Sequence, residues 1–343
     1  MKIAVVTVYH PFTNLGSFLQ AYAINCVLSN MGHEVKFVKT GPHIMSALKL
    51  MTRINPKREF FLRFVKALNA MRDLSKLEFV SSDIAKTEAD IIVFGSDEIW
   101  NVTNKFFQQP VFWGMTFENQ PKICYAVSAG HARLEDFLSV SSLTSNIINF
   151  DNVFTRDTHT KTILEEQFHI ESELVIDPTL LIDVSQLSQP IVIPERNYLL
   201  VYSYGLNPPM ISIVKEFARR NNLKIISPCF WHHWADKVIN CSALQFSTLI
   251  KNARYVFTTT FHGAIFSLVN HSQCCILPAR EKVRSLCITL NSENRLINED
   301  ISLEQFEEII NQPFHVDHFE KNLLSLRTKS MKLLTKAIDS KRK

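Results

Sequence analysis

Glycine is scarce in this chain, with only eight in 343 residues. There is no G-x-G-x-x-G fingerprint, Walker loop or nucleophile elbow. Any bound anion must therefore be held by helix ends and side chains, not by a glycine-rich cradle. The signatures of metal chemistry are missing too: no D-x-D, H-E-x-x-H or zinc-ligand spacing occurs, and none is expected at the site. The seven cysteines are scattered and none forms a C-x-x-C pair, although Cys274 and Cys275 are adjacent. They read as buried, reduced thiols of a reducing compartment. His232-His233, set between Trp231 and Trp234, has no Cys or carboxylate neighbour to complete a metal site. No stretch reaches the ~18 uninterrupted apolar residues of a membrane span. A net charge of +4 is too mild to argue for nucleic acid. The segment Met1–Val8 is a short β-branched run without a cleavage site, so it reads as a first strand and the protein is expected in the cytoplasm.

What the chain does have is an alternation of strands and helices over a length that suits two domains. Ile3–Val8 reads as a strand. Leu19, Ala23 and Val27 then recur as on the inner face of a helix, and Glu34–Val38 reads as a second, parallel strand. Further strands are expected at Ala89–Phe94, Lys122–Val127, Asn152–Thr155 and Glu173–Ile176. Pro190–Pro194 and the polar stretch before it read as the domain joint. The rhythm restarts with strands at Tyr198–Ser203, Lys224–Ile226 and Tyr255–Thr259, and with helices over Met210–Arg220 and Ser242–Lys251. Ser302 with Gln305 forms a capping box that starts a helix to about Asn311. The expected fold is α/β, with two Rossmann-like, doubly wound domains. The N-terminal domain is assigned to 1–184 and the C-terminal domain to 195–315. A basic amphipathic helix within 316–343 is placed to pack back on the N-terminal domain.

A basic segment, with Lys49, Arg53, Lys57, Arg58, Arg63, Lys66 and Arg72, is interleaved with Phe60, Phe61, Phe64, Val65 and Leu68 at helical spacing. It reads first as an amphipathic helix with a solvated basic face. The other reading is attraction to an anionic lipid or acceptor, which allows peripheral contact with the inner membrane face.

Several strands end in small or polar residues, and in a doubly wound sheet such ends converge on one crevice. They are Asn14-Gly16, Gly95-Ser96-Asp97, Ser128, Arg156 and Thr260-His262-Gly263. Each has a plain structural alternative. Gly16 can be a turn glycine, Asp97 a helix cap, Trp100 core or cleft wall, and Arg156-Asp157 a local ion pair. His262 is the strongest candidate. It lies between Phe261 and Gly263 where a strand passes into a helix, so an anion at the helix start and a proton donor would be side by side. Gly263 would let a ligand approach the backbone. The cations on offer are Arg156, Arg280, Lys282, Arg284 and Arg295.

Taken together, six stretches resemble the polysaccharide pyruvyl transferase family in order and spacing, from about Ile3 to Ile297. They are Asn14–Ala23, Phe94–Asn101, Tyr125–Gly130, Thr155-Arg156-Asp157, Ile176–Thr179 and Thr260-Phe261-His262-Gly263. The resemblance implies two domains facing across a cleft, as in GT-B glycosyltransferases. It also implies transfer of a pyruvyl group from phosphoenolpyruvate, a co-substrate and not a cofactor, to a sugar or lipid-linked glycan, giving a ketal. His262 and Arg156 would then be catalytic, Arg156 also holding the donor's carboxylate or phosphate; on the residues themselves, Asp97 or Glu98 is placed to accept a hydroxyl proton. Gly263, Thr260, Arg280, Lys282 and Ser128 would hold the donor. Asn14, Gly16, Ser96 and Glu98 would hold the acceptor. The chain departs from the family pattern at Leu15, Ser17, Glu98, Ala129 and Thr260. The rival readings are a glycosyltransferase using a nucleotide sugar and a non-catalytic glycan-binding homologue.

Overall fold

The computed structural model describes residues 1–10, 12, 14–40 and 58–342, and within these the chain forms two compact units. The first unit comprises Met1–Lys49, Asp73–Ile182 and Ser325–Lys343; the second comprises Leu50–Arg72 and Asp183–Leu324. The division therefore falls at Ile182/Asp183, ahead of Pro190. The helix Arg58–Leu74 belongs mostly to the second unit, and the C-terminal helix Val316–Asp339 begins in the second and ends in the first. Of the basic segment, Lys49, Arg53 and Lys57 lie outside the described residues.

The first unit holds seven strands: β1 (Lys2–Val6), β2 (Glu34–Val38), β3 (Phe79–Val80), β4 (Ile91–Phe94), β5 (Lys122–Val127), β6 (Asn152–Thr155) and β7 (Glu173–Leu174). They pair in the order β3-β2-β1-β4-β5-β6-β7, and every pair is parallel. The second unit holds β8 (Tyr198–Tyr202), β9 (Lys224–Pro228), β10 (Lys237–Ile239), β11 (Tyr255–Thr258) and β12 (Cys274–Ile276). Their order is β10-β9-β8-β11-β12, again all parallel. Strands covered on both faces need continuous apolar runs. Every residue of β4, β5, β8 and β11 is accordingly buried.

Each order reverses once, between β1 and β4 in the first unit and between β8 and β11 in the second. In open parallel sheets, the carboxyl edge at such a reversal is where ligands bind. The registers align Val6 with Phe94 and Tyr202 with Thr258, so both strand pairs end level. The Asn14–Gly16 and Gly95–Asp97 stretches follow β1 and β4, and Thr260–Gly263 follows β11. The topology thus delivers these motifs to the two switch points.

The helix Leu15–Asn30 is not amphipathic as the four-residue spacing suggests: Leu15 through Ala21 are buried without a break. Arg58–Leu74 departs in the opposite direction. Ala67 and Ala70 face inward while Phe64, Leu68 and Met71 are exposed, because small residues let this helix pack closely. Trp100 is fully buried and lies parallel to Trp113, with ring centroids 5.9 Å apart. Its indole N–H donates to the Phe112 carbonyl at 3.2 Å. It is core, not cleft wall. Trp100→Ala should lower stability by about 3–5 kcal/mol in urea denaturation, from lost burial plus the cavity. A loss below about 1 kcal/mol would show that the indole is not a core element.

Candidate active site

At the first unit's switch point the organising side chain is one not singled out from the sequence, Gln20. Its amide nitrogen donates to Thr7 Oγ1 (3.1 Å) and to the carbonyls of Val8 (2.6 Å) and Ser17 (2.8 Å). Its oxygen accepts from the Ser96 amide (3.2 Å) and hydroxyl (2.8 Å). Thr7 Oγ1 in turn donates to the Ser96 carbonyl at 3.0 Å. A fully buried amide has to be satisfied in this way, and here it ties the ends of β1 and β4 to the first turn of the following helix. The available signal was a lone, uncharged polar residue amid the apolar run Phe18–Ala23.

These contacts give several of the expected site residues partners within the unit. The Ser96 hydroxyl is engaged by Gln20. Asn14 caps the helix Leu15–Asn30, its side chain accepting from the Gly16 amide at 3.0 Å, so Gly16 is a first-turn helix residue and not a turn glycine. The Ser128 hydroxyl accepts from the Gly130 amide at 3.0 Å. Glu98 lies beside Asn101, whose amide donates to Glu98 Oε2 at 3.3 Å. Gly130, at φ +66°, has no room for a Cβ between those two side chains.

Arg156 follows β6, and its side chain is 4% exposed. Asp157 caps the helix Thr158–Phe168 by accepting from Thr160. Arg156 Nη1 donates to Asp177 Oδ2 at 3.0 Å, and Nη2 lies 3.7 Å from Asp97 Oδ1. Burial pulls the guanidinium pKa down. Asp177, then Asp97, Asp157 and Glu98, outweigh that effect and raise it. The surroundings of Arg156 are thus rich in negative charge. Asp97 itself sits at φ +76°, a conformation Asp tolerates better than most residues, and its Oδ1 accepts from the Glu98 amide at 2.8 Å.

At the second unit's switch point, three threonines close the end of β11. Thr258 Oγ1 donates to the Tyr202 carbonyl (2.8 Å), and Thr259 Oγ1 donates to Ser203 Oγ (2.9 Å). Thr260 caps the helix Phe261–Val269, its hydroxyl accepting from the Gly263 amide at 3.1 Å. A Cβ on Gly263 would collide with the hydroxyls of Thr258 and Thr260. The glycine therefore serves close packing of its own unit. His262 is buried in the first turn of this helix, edge-on to Phe261 with ring centroids 5.3 Å apart.

The cations sort clearly. Lys282 Nζ lies 5.5 Å from the Phe261 ring centroid, over the residue next to His262. Arg280 is exposed at the start of the helix Glu281–Thr289, which follows the neighbouring strand β12. Arg284 pairs weakly with Glu281 at 4.0 Å. Arg295 is buried and donates to the Pro313 carbonyl at 2.9 Å, a structural role that removes it from the set. Among the described residues no group of three or more His, Cys, Asp or Glu could hold a metal ion.

The architecture has solved counterparts. It is similar to UDP-GlcNAc 2-epimerase of Methanocaldococcus jannaschii in complex with UDP-GlcNAc and UDP, at 12% identity and TM-score 0.53 over 96% of this chain and 100% of that one. The enzyme of the same name from Neisseria meningitidis, bound to UDP-GlcNAc, gives 10% identity and TM-score 0.56 over 99% and 100%. The glycosyltransferase SsfS6 of Streptomyces sp. SF2575, complexed with thymidine diphosphate, gives 11% and 0.50 over 98% and 99%. At such identities the likeness concerns fold alone, and it defines an α/β protein of the GT-B type with parallel sheets of seven and five strands. No curated protein matches the chain by sequence. Its family is nevertheless defined: residues 14–278 match the polysaccharide pyruvyl transferase profile, and the chain belongs to that family.

Two stability measurements check this geometry. Arg156→Met leaves Asp177 buried without its cation and should cost about 3–5 kcal/mol in urea denaturation; a change within about 1 kcal/mol would show that the pair is not structural. Gly263→Ala should cost about 1–3 kcal/mol by overpacking against Thr258 and Thr260, and a neutral result would mean that the strand end is not closed as described.

Proposed function

We propose that this protein transfers a pyruvyl group from phosphoenolpyruvate to two hydroxyls of one sugar in a surface polysaccharide or its lipid-linked precursor, forming a cyclic ketal. The observation that carries the reading is the second unit's switch point. There a buried His262 sits in the first turn of a helix, with Lys282 over the adjacent Phe261, in a chain of the pyruvyl transferase family. Phosphoenolpyruvate carries a phosphate and a carboxylate, and a helix start with nearby Lys282 and Arg280 suits two anionic groups.

His262 is assigned as the acid that protonates the methylene carbon. One sugar hydroxyl adds to C2 and gives up its proton. The C2–O bond to phosphate then breaks, and the second hydroxyl closes the ketal. Of the two hydroxyl protons, one is balanced by the new methyl group and the other leaves with phosphate. Asp97 and Glu98 are assigned to hydrogen-bond sugar hydroxyls, with Asp97 the assigned base. Arg156 is assigned to hold Asp97 in place, because its guanidinium already faces Asp177 and Asp97 and these surroundings favour a cation over a second anion. No metal enters these steps.

The reading carries a cytoplasmic location, since phosphoenolpyruvate is made there. It extends to contact with an anionic membrane face, supported by exposed Phe64, Leu68 and Met71 on one stripe with Arg72 close by. No described helix is long and apolar enough to cross a membrane.

The rival reading, a nucleotide-sugar enzyme, is favoured by the nucleotide-bound states of the fold neighbours. A thermal-shift comparison separates the two: phosphoenolpyruvate should raise Tm by several degrees and UDP-GlcNAc should not. Phosphate release from phosphoenolpyruvate with acceptor should fall about a hundredfold or more in His262→Ala, the scale of a lost general acid. Stabilisation by UDP-GlcNAc alone, or wild-type turnover in His262→Ala, would sink the proposal.

A further inference from the structure

The loop Trp231-His232-His233-Trp234 takes no part in the chemistry above, yet the fold sets it at the carboxyl edge of β9, beside the second unit's switch point. Its connection to that point is explicit. His232 Nε2 donates to the Ser203 carbonyl at 3.0 Å, which fixes the proton on that nitrogen because a carbonyl only accepts. Ser203 Oγ accepts from Thr259 at 2.9 Å and donates to the Gly205 carbonyl at 2.8 Å. The His232 ring lies nearly parallel to Trp234, with centroids 4.9 Å apart, and Trp234 packs on the core. His232 and Trp234 thus anchor the loop, leaving Trp231 and His233 exposed.

Around this anchor the aromatic residues are layered. Tyr202 is buried at the end of β8, and Phe230 lies 5.4 Å from it. Tyr204 lies on the other ring contact of Phe230, at 5.0 Å, and is 62% exposed. Trp231 follows Phe230 in the chain and is 58% exposed. Lys66, from the helix Arg58–Leu74, sits 5.3 Å from the Phe230 ring centroid and donates to the Cys229 carbonyl at 3.4 Å. Two large exposed aromatic side chains beside a strand-end switch point, Trp231 on a loop tied down from beneath and Tyr204 on the loop after β8, make a surface suited to a ligand and not to the core.

We infer that Tyr204 and Trp231 form a stacking shelf for a pyranose ring of the acceptor glycan. An aromatic face carries partial negative charge and attracts the partially positive C–H face of a pyranose. The indole N–H and exposed His233 supply hydrogen-bonding groups for the hydroxyl rim. This inference rests on the reading that the second unit's switch point works on a sugar. It adds that the acceptor is gripped on the same sheet edge as His262.

The test uses the full-length protein and saturation-transfer NMR with methyl glycosides of glucose, galactose, mannose and N-acetylglucosamine, with UMP as the base-stacking control. At least one glycoside should bind. Trp231→Ala and Tyr204→Ala should each weaken it about tenfold, the scale of a lost stacked ring, and Trp231→Phe should restore most of the binding. Because both residues are exposed, Tm and the shift caused by phosphoenolpyruvate should stay at wild-type values. If no glycoside binds the wild type, or the alanine variants bind like wild type, the shelf is refuted. Trp231-dependent binding of UMP without glycoside binding refutes it as well. Trp231-dependent glycoside binding in a protein that phosphoenolpyruvate does not stabilise would uphold the shelf and overturn the pyruvyl donor instead.

Discussion

In both units the structure depends on a short polar stitch across the strand pair where the sheet order reverses. In the first, Thr7 donates to the Ser96 carbonyl and Gln20 holds both sides. In the second, Thr258 and Thr259 bond to Tyr202 and Ser203. A parallel sheet leaves the carbonyls and loops at its carboxyl edge without ladder partners exactly where two chains diverge, and buried polar groups there must be satisfied. The stitches meet that need with short uncharged side chains. They also fix the loops that carry Asp97 and His262, so the groups offered for chemistry sit on rigid supports.

Much of this was legible in the chain. The long apolar strands, the capping box at Ser302 and the two-domain rhythm all appear where continuous burial or a cap demands them. The misses have physical causes. β3 and β10 are edge strands of two and three residues, too short to show a period. β12, Cys274–Ile276, is likewise only three residues long. The site followed the same pattern. The strand-end motifs did mark the switch points, but the partners were tertiary: Asp177 lies 21 residues from Arg156, and Ser96 lies 76 from Gln20. No local pattern reports such pairs.

The two switch points differ in charge. The first gathers Asp97, Asp157, Asp177 and Glu98 around one guanidinium, a set suited to hydroxyl groups. The second gathers a helix start, His262 and Lys282, a set suited to an anion, next to an aromatic edge suited to a sugar face.

The most direct test of the account is a crystal structure of the protein with phosphoenolpyruvate. The account predicts its phosphate or carboxylate at the first turn of the helix Phe261–Val269, within reach of Lys282, and its methylene carbon facing His262. Phosphoenolpyruvate bound elsewhere, with no contact to His262 or that helix start, would contradict it.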